Sequence, residues 1–396
     1  MTGRKHFFFE KKKQKTFGLA AKPLVPSLAS TGLLPPPLWG EGEEVVFWTR
    51  NFALRPTVCA LLTGALLVTC VARADSLRGV NMSGAELGTD KLPGKAGTDY
   101  VLPDDATLKY FAGMGMTAIR LPVLWERLQP DLGGKLDAQA AGQVDRVITQ
   151  AAALHLRVII DLHDYGMWRG ISIGKGDVSP SAFADFWKTY VRHVDTSAAG
   201  RTAVFGLMNE PHDIDGTAWA AAEQGAIDAI RSTGADNLIL VSGTGWDGAH
   251  NFVSGAGYGV ANAVTLGKLH DPRFHMAIEM HQYLDGDYSG TSAACMAPAQ
   301  AAATLAAPTA WLRAHGLHAF LGEFAASSAR PCLASLDALL NALDANSDVW
   351  IGWTYWAAGP WWGSYMFSVQ PHAAADGTLQ DAPQTAVLRR HLPGRT

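Results

Sequence analysis

From residue 77 onward, short apolar runs alternate with helical patterns eight times, and few folds absorb such a chain. The runs at 77–81, 118–121, 158–162, 203–208, 238–242, 276–280, 319–321 and 350–355 have strand length and are largely hydrophobic. Parallel strands covered on both faces read this way. Amphipathic or alanine-rich helical stretches lie between them, among them 104–113, 138–155, 182–193, 217–233 and 304–316. Eight β/α repeats in about 320 residues predict an α/β fold closed on itself, a single (β/α)8 TIM barrel. Neither a second domain nor a binding module is expected after Leu388.

Such a barrel collects its functional groups at the carboxyl ends of its strands. Arg120 is placed there by the second run, His163 by the third, and Asn209 and Glu210 by the fourth. His281 and Tyr283 follow the sixth, Glu323 ends the seventh and Trp356 the eighth. The fourth run stops at Asn209-Glu210-Pro211 because a proline cannot donate to a strand ladder. The seventh likewise delivers a glutamate, in Ala319-Phe-Leu-Gly-Glu323. Two carboxylates at one rim suit glycosidic cleavage: one protonates the leaving oxygen while the other attacks the sugar or activates water. Arg120 interrupts an apolar strand, where an unpaired charge would be costly, so a buried partner is expected.

The two ends of the chain differ in charge. Residues 1–74 carry 10 Lys+Arg against 4 Asp+Glu, and the remainder carries 22 against 32, giving a net −10. An acidic body without a basic stripe argues against nucleic acid, whose phosphates reward Lys and Arg. The first 74 residues read as a leader. Its last part has Arg50 and Arg55, an apolar run at 58–71, and Ala72-Arg73-Ala74. That is the layout of a secretory signal, with cleavage expected between Ala74 and Asp75 and the catalytic domain spanning 75–396. The long preface suggests an artefactual extension upstream of an internal start near Val45 or Val46. The apolar run is too short to span a bilayer comfortably, so no stable membrane anchor is expected. Cys59 and Cys70 would be lost with the leader; Cys295 and Cys332 remain, an even pair in an oxidising compartment, and are expected to bridge.

Ordered segments carry a family resemblance. Asn209-Glu210-Pro211 and Leu321-Gly322-Glu323-Phe324 resemble glycoside hydrolase family 5, the cellulase family, and most nearly its subfamily 5 of bacterial and fungal endoglucanases. The likeness continues through Arg78-Gly79-Val80-Asn81, Ile119-Arg120-Leu121-Pro122, Asp161-Leu162-His163-Asp164-Tyr165, His281-Gln282-Tyr283 and Trp353-Thr354-Tyr355-Trp356. It implies that Glu210 is the acid/base and Glu323 the nucleophile, with Arg120 and Tyr283 steadying Glu323 and His281 beside Glu210. It also implies that His163 and Asn209 contact the sugar, Asn209 through its 2-hydroxyl, and that Trp356 is the platform beneath it. A flat indole suits the apolar face of a pyranose. Trp168, Trp246, Trp361 and Trp362 are candidates for neighbouring subsites, whereas Trp350 and Trp353 are expected in the core.

The resemblance implies a retaining endo-β-1,4-glucanase acting on cellulose or a soluble β-glucan; the signal-like segment implies export, and a monomer with no metal or organic cofactor is expected. Its carboxyls should lie about 5–5.5 Å apart, and the acid should hold its proton through a raised pKa. The same residues leave open another β-glycan, such as mannan, mixed-linkage glucan or xyloglucan, because loops set the subsites. A carbohydrate-binding barrel without catalysis is the rival from a different class. An esterase is set aside on the expectation that the chain builds no G-x-S-x-G nucleophile elbow.

Overall fold

The computed structural model describes residues 76–373, 376 and 378–393. The expected leader and its cleavage site lie outside the described residues. Eight parallel strands close into a barrel in the cyclic order β1-β8-β7-β6-β5-β4-β3-β2. They are β1 (Leu77–Met82), β2 (Ala118–Val123), β3 (Arg157–Leu162), β4 (Val204–Gly206), β5 (Ile239–Val241), β6 (Met276–His281), β7 (Ala319–Glu323) and β8 (Trp350–Ala358). All eight coincide with expected runs. β4 is shorter than its apolar stretch, and β8 runs three residues further.

Helices α1 (Asp105–Met114), α2 (Ala138–Ala153), α3 (Pro180–Val194) and α4 (Gly216–Arg231) follow the first four strands. Asp104, Asp137, Ser179 and Asp215 cap their first turns by accepting backbone N–H groups that the helix leaves unpaired. A 3-10 turn, Ala249–Asn251, and a short helix, Asn262–Leu266, lie between β5 and β6. Helices α5 (Ala306–His315) and α6 (Arg330–Ala345) follow β6 and β7, and α7 (Pro383–Arg390) follows β8.

The interior begins with an apolar plug to which every strand contributes. Leu77, Ala118, Ile159, Val204, Leu238, Leu240, Ala277 and Phe320 form one cluster, with Ile351 packed against it. The larger cluster, which includes Trp350 and Trp353 as expected, fills the space between the strands and the helices. The Cys295–Cys332 disulfide ties the loop after β6 to the first turn of α6, with 5.5 Å between the Cα atoms. Behind the barrel, the His391 ring lies between two carboxylates of α6, with Nδ1 2.6 Å from Asp344 and Nε2 3.0 Å from Asp337. Arg78 at the start of β1 reaches the same Asp344 at 2.7 Å.

Candidate active site

Along a strand every second side chain faces the same way. Two residues beyond Ala118, Ile159 and Ala277 of the plug stand Arg120, Asp161 and Glu279; beyond Val204 and Phe320 stand Gly206 and Gly322. The layer above the plug is therefore charged where it carries these side chains and open where it carries glycine. A Cβ on Gly322 would meet Glu279 Oε1 at 2.0 Å, and one on Gly206 would meet Oε2 at 3.4 Å. Gly322 makes room for a buried carboxylate, and Gly206 leaves it an ordinary van der Waals contact.

Arg120 is the centre of this layer and is fully buried. It lies in the middle of β2 rather than at its end, because the strand continues through Leu121-Pro122-Val123 in register with β3. Its Nε is 2.8 Å from Glu279, Nη2 3.0 Å from Asp161 and Nη1 3.2 Å from Glu323. It also donates to Asn81 Oδ1 at 2.9 Å and Asn209 Oδ1 at 2.8 Å. Burial alone would lower its pKa, but the charges of Asp161, Glu279 and Glu323 outweigh this and raise it. The partner expected for the buried charge is a set of three.

Glu323 ends β7. Besides Arg120, Tyr283 donates its hydroxyl to Glu323 Oε2 at 2.5 Å. Burial first, and the Glu323 charge second, hold the phenol pKa well above its usual value, so this group remains a donor. Glu210 follows β4 with a left-handed backbone, φ +44°. His281 Nδ1 lies 3.0 Å from Glu210 Oε1, and Nε2 lies 3.3 Å from Glu279 Oε1. Burial would push this imidazole down; the Glu323 charge and the bonds to Glu210 and Glu279 outweigh it and hold its pKa up at about 10. Glu210, His281 and Glu323 each present an atom within 4.8 Å of the others. Such a trio has the reach of a metal site, and both nitrogens of its imidazole face carboxyl groups.

His163, just past β3, faces Asp161 with Nδ1 at 2.6 Å and Asn209 Nδ2 with Nε2 at 3.3 Å. Its proton therefore sits on Nδ1, and Asn209, whose oxygen is taken by Arg120, donates through its amide nitrogen. Trp356 is the third residue from the end of β8, and its indole stacks near His163 at 5.7 Å between ring centres. The peptide bond from Trp356 to Ala357 is cis. Trp362 meets Trp356 edge-on at 6.0 Å, and Trp361 precedes it in the loop after β8. Trp246, in the turn after β5, stacks on His212 at 4.7 Å. Trp168 stands apart from these contacts on a two-stranded ribbon after β3, with Arg169 over its ring. The string G-x-S-x-G does occur, as Gly170-Ile171-Ser172-Ile173-Gly174, but it builds no elbow. It belongs to that ribbon, Met167–Trp168 paired with Ile171–Ser172, and not to the strand-to-helix turn a nucleophile elbow requires.

Four polar residues here had no role in the sequence reading: Asn81, Asp161, Asp247 and Glu279. Glu279 carried a signal, since it interrupts Met276-Ala-Ile-Glu-Met-His281 just as Arg120 interrupts β2. Arg120 and His281 outweigh the burial that would raise its pKa and hold it below the usual carboxylate value. Asp247 accepts the Glu210 N–H at 2.8 Å and the Gly243 N–H at 2.6 Å.

A closed (β/α)8 barrel carrying two such carboxylates at its carboxyl rim has the architecture of a glycoside hydrolase. The family model for cellulase (glycosyl hydrolase family 5) matches residues 78–359, and the chain belongs to that family. Endo-β-1,4-glucanase A of Emericella nidulans is 37% identical over 295 residues, covering 74% of this chain and 86% of its own. XacCel5A, solved in complex with cellopentaose, is 45% identical with a TM-score of 0.76, over 80% of this chain and 99% of its own. The endoglucanase Cel5A of Pseudomonas stutzeri is 32% identical with a TM-score of 0.71, over 80% of this chain and 94% of its own.

Proposed function

We propose that the chain is an exported, retaining endo-β-1,4-glucanase with Glu323 as nucleophile and Glu210 as acid/base. One observation carries the retaining mechanism: an oxygen of each glutamate lies within 4.8 Å of the other. That is close to the ~5–5.5 Å separation of retaining pairs and short of the ~6.5–9.5 Å that leaves room for water in inverting ones. The substrate class is supported by the relatives, named endo-β-1,4-glucanases, and by the cellopentaose bound to XacCel5A.

Glu323, ionised and oriented by Arg120 and Tyr283, attacks the anomeric carbon. The glycosidic oxygen leaves with the proton of Glu210, and a glycosyl ester forms on Glu323. Water then attacks the same carbon, gives its proton to Glu210 and frees Glu323. Preorganised donors at a buried carboxylate need no rearrangement as charge moves. Asn209, pinned through its oxygen, presents its N–H2 to the sugar 2-hydroxyl, and His163 and Trp356 line the cleaved subsite. Trp168, Trp246, Trp361 and Trp362 extend the cleft.

Export with cleavage before Asp75 is supported by the signal-like segment and by the disulfide. Among the described residues no helix is long and apolar enough to cross a membrane. The test follows viscosity and reducing ends together on carboxymethyl-cellulose, with galactomannan in parallel and Glu210→Gln and Glu323→Gln as controls. A fast viscosity drop on the cellulose derivative, lost in both variants, is the expected result. Activity on mannan alone would move the substrate, and activity surviving in either variant would overturn the assignment of the pair.

A further inference from the structure

Glu210 holds a left-handed backbone, which a non-glycine residue keeps only where its surroundings impose it. The imposing group is identifiable. Both carboxylate oxygens of Asp247 are committed to backbone N–H groups, Oδ2 to Glu210 at 2.8 Å and Oδ1 to Gly243 at 2.6 Å. The Asp247 carbonyl accepts the His281 N–H at 2.7 Å, and Trp246 N donates to the carbonyl of Pro211 at 3.2 Å. One short turn thus grips the backbone on either side of Glu210 and the backbone of the histidine beside it.

The turn is itself clamped. Gly245, Trp246 and Asp247 are all left-handed, with φ of +75°, +58° and +55°. At its start, Ser242 donates its N–H to Glu223 at 2.7 Å and accepts the Trp219 indole N–H at 2.8 Å. Trp219 and Glu223 are one turn apart on α4 and therefore face the same way. Asn262 binds the Thr244 N–H at 3.0 Å and its carbonyl at 2.8 Å. A Cβ on Gly243 would fall 2.4 Å from the Asn262 amide, so the residue that feeds Asp247 must be glycine.

We infer that Asp247 is a positioning residue for the proton-donating glutamate, fixing the Glu210 backbone from a turn that α4 and Asn262 hold in place. The inference rests on the acid/base reading of Glu210. Asp247 bonds the Glu210 main chain rather than its carboxyl, so it acts through Glu210. Its loss should therefore hurt only where proton donation matters. A glucan leaving group must be protonated; a dinitrophenolate need not be.

The experiment compares kcat/KM, which reports the glycosylation step, on cellopentaose and on 2,4-dinitrophenyl β-cellobioside. The proteins are the native chain, Asp247→Ala, Asp247→Asn and Glu210→Ala. Misplacing a reacting group by about 1 Å costs on the order of 100-fold, so Asp247→Ala should lose about that on cellopentaose and less than about fivefold on the activated substrate. Asp247→Asn keeps one acceptor and should fall between native and alanine; it carries the same comparison if the alanine variant does not fold. Equal losses on both substrates, or no loss on either, would overturn the inference while leaving Glu210 in place. If Glu210→Ala itself loses both substrates equally, the acid assignment fails and takes the inference with it.

Discussion

Adding one methyl group at Gly322 should disable the site without touching a charged residue. The new Cβ would lie 2.0 Å from Glu279 Oε1, 2.7 Å from its Cδ and 2.9 Å from its Cγ. To restore an ordinary contact of 3.4 Å, Oε1 must retreat by about 1.4 Å. A free side chain would swing away, but Glu279 is held by Arg120 at 2.8 Å and His281 at 3.3 Å and is almost wholly buried. A retreat of that size breaks both contacts. Separating one partner from a buried ion pair costs about 3–5 kcal/mol. At roughly 2 °C per kcal/mol for a domain this large, Gly322→Ala should lower the melting temperature by about 6–10 °C. Arg120, released from Glu279, also loses its aim on Glu323, so kcat/KM should fall by at least about 100-fold. Scanning calorimetry and carboxymethyl-cellulose kinetics read the two effects. A variant melting within about 2 °C of the native chain, with activity within twofold, would refute the claim that the glycine exists to house Glu279.

Two further expectations rest on other parts of the fold. Burial would lower the His391 pKa, but Asp344 and Asp337 outweigh it and raise it; its contribution is complete below the unfolded value of about 6.5 and fades as pH climbs through the folded one. Arg78 and Arg390 share the two aspartates, whose own pKa values the cluster lowers despite burial, so their contribution fades instead as pH falls below about 4. Native stability should therefore decline as pH rises above about 6.5, and His391→Gln should flatten that slope; identical slopes in urea titrations would exclude a stabilising role for the His391 contacts with Asp337 and Asp344. The Cys295–Cys332 bridge closes a loop with a sequence separation of 37, so Cys295→Ser should cost about 2–4 kcal/mol. Unchanged urea midpoints with and without reductant would count against a stabilising bridge.

The strands were readable because a parallel strand covered on both faces has no polar alternation to disguise it. Their ends were less so: Leu207 and Met208 continue the apolar run after the β4 ladder has stopped at Gly206, while β8 runs on to Ala358. Glu210 and Glu323 stood out as carboxylates terminating such runs. Arg120 stood out because a charge inside a hydrophobic strand needs a reason, and the same argument applied to Glu279 would have found its partner. Asp247 could not be found this way. It sits in a glycine-rich turn whose composition announces only a turn, and its partner is a main-chain N–H that sequence does not display. Helix α6 was not among the named helical stretches, although Leu333, Leu336, Leu340 and Leu343 repeat at helical spacing.

The contacts of Arg120 also bear on the order in which the chain can assemble. Its partners come from β1, β3, β6 and β7 and from the residues after β4. No half of the barrel contains them all. A fragment ending after β4 holds the guanidinium with Asp161 and lacks both glutamates, leaving it short of the charges that offset its burial. The central layer can therefore dehydrate only once β6 and β7 have docked. For this chain, offsetting the buried charge of Arg120 and orienting the nucleophile depend on the same strand, β7.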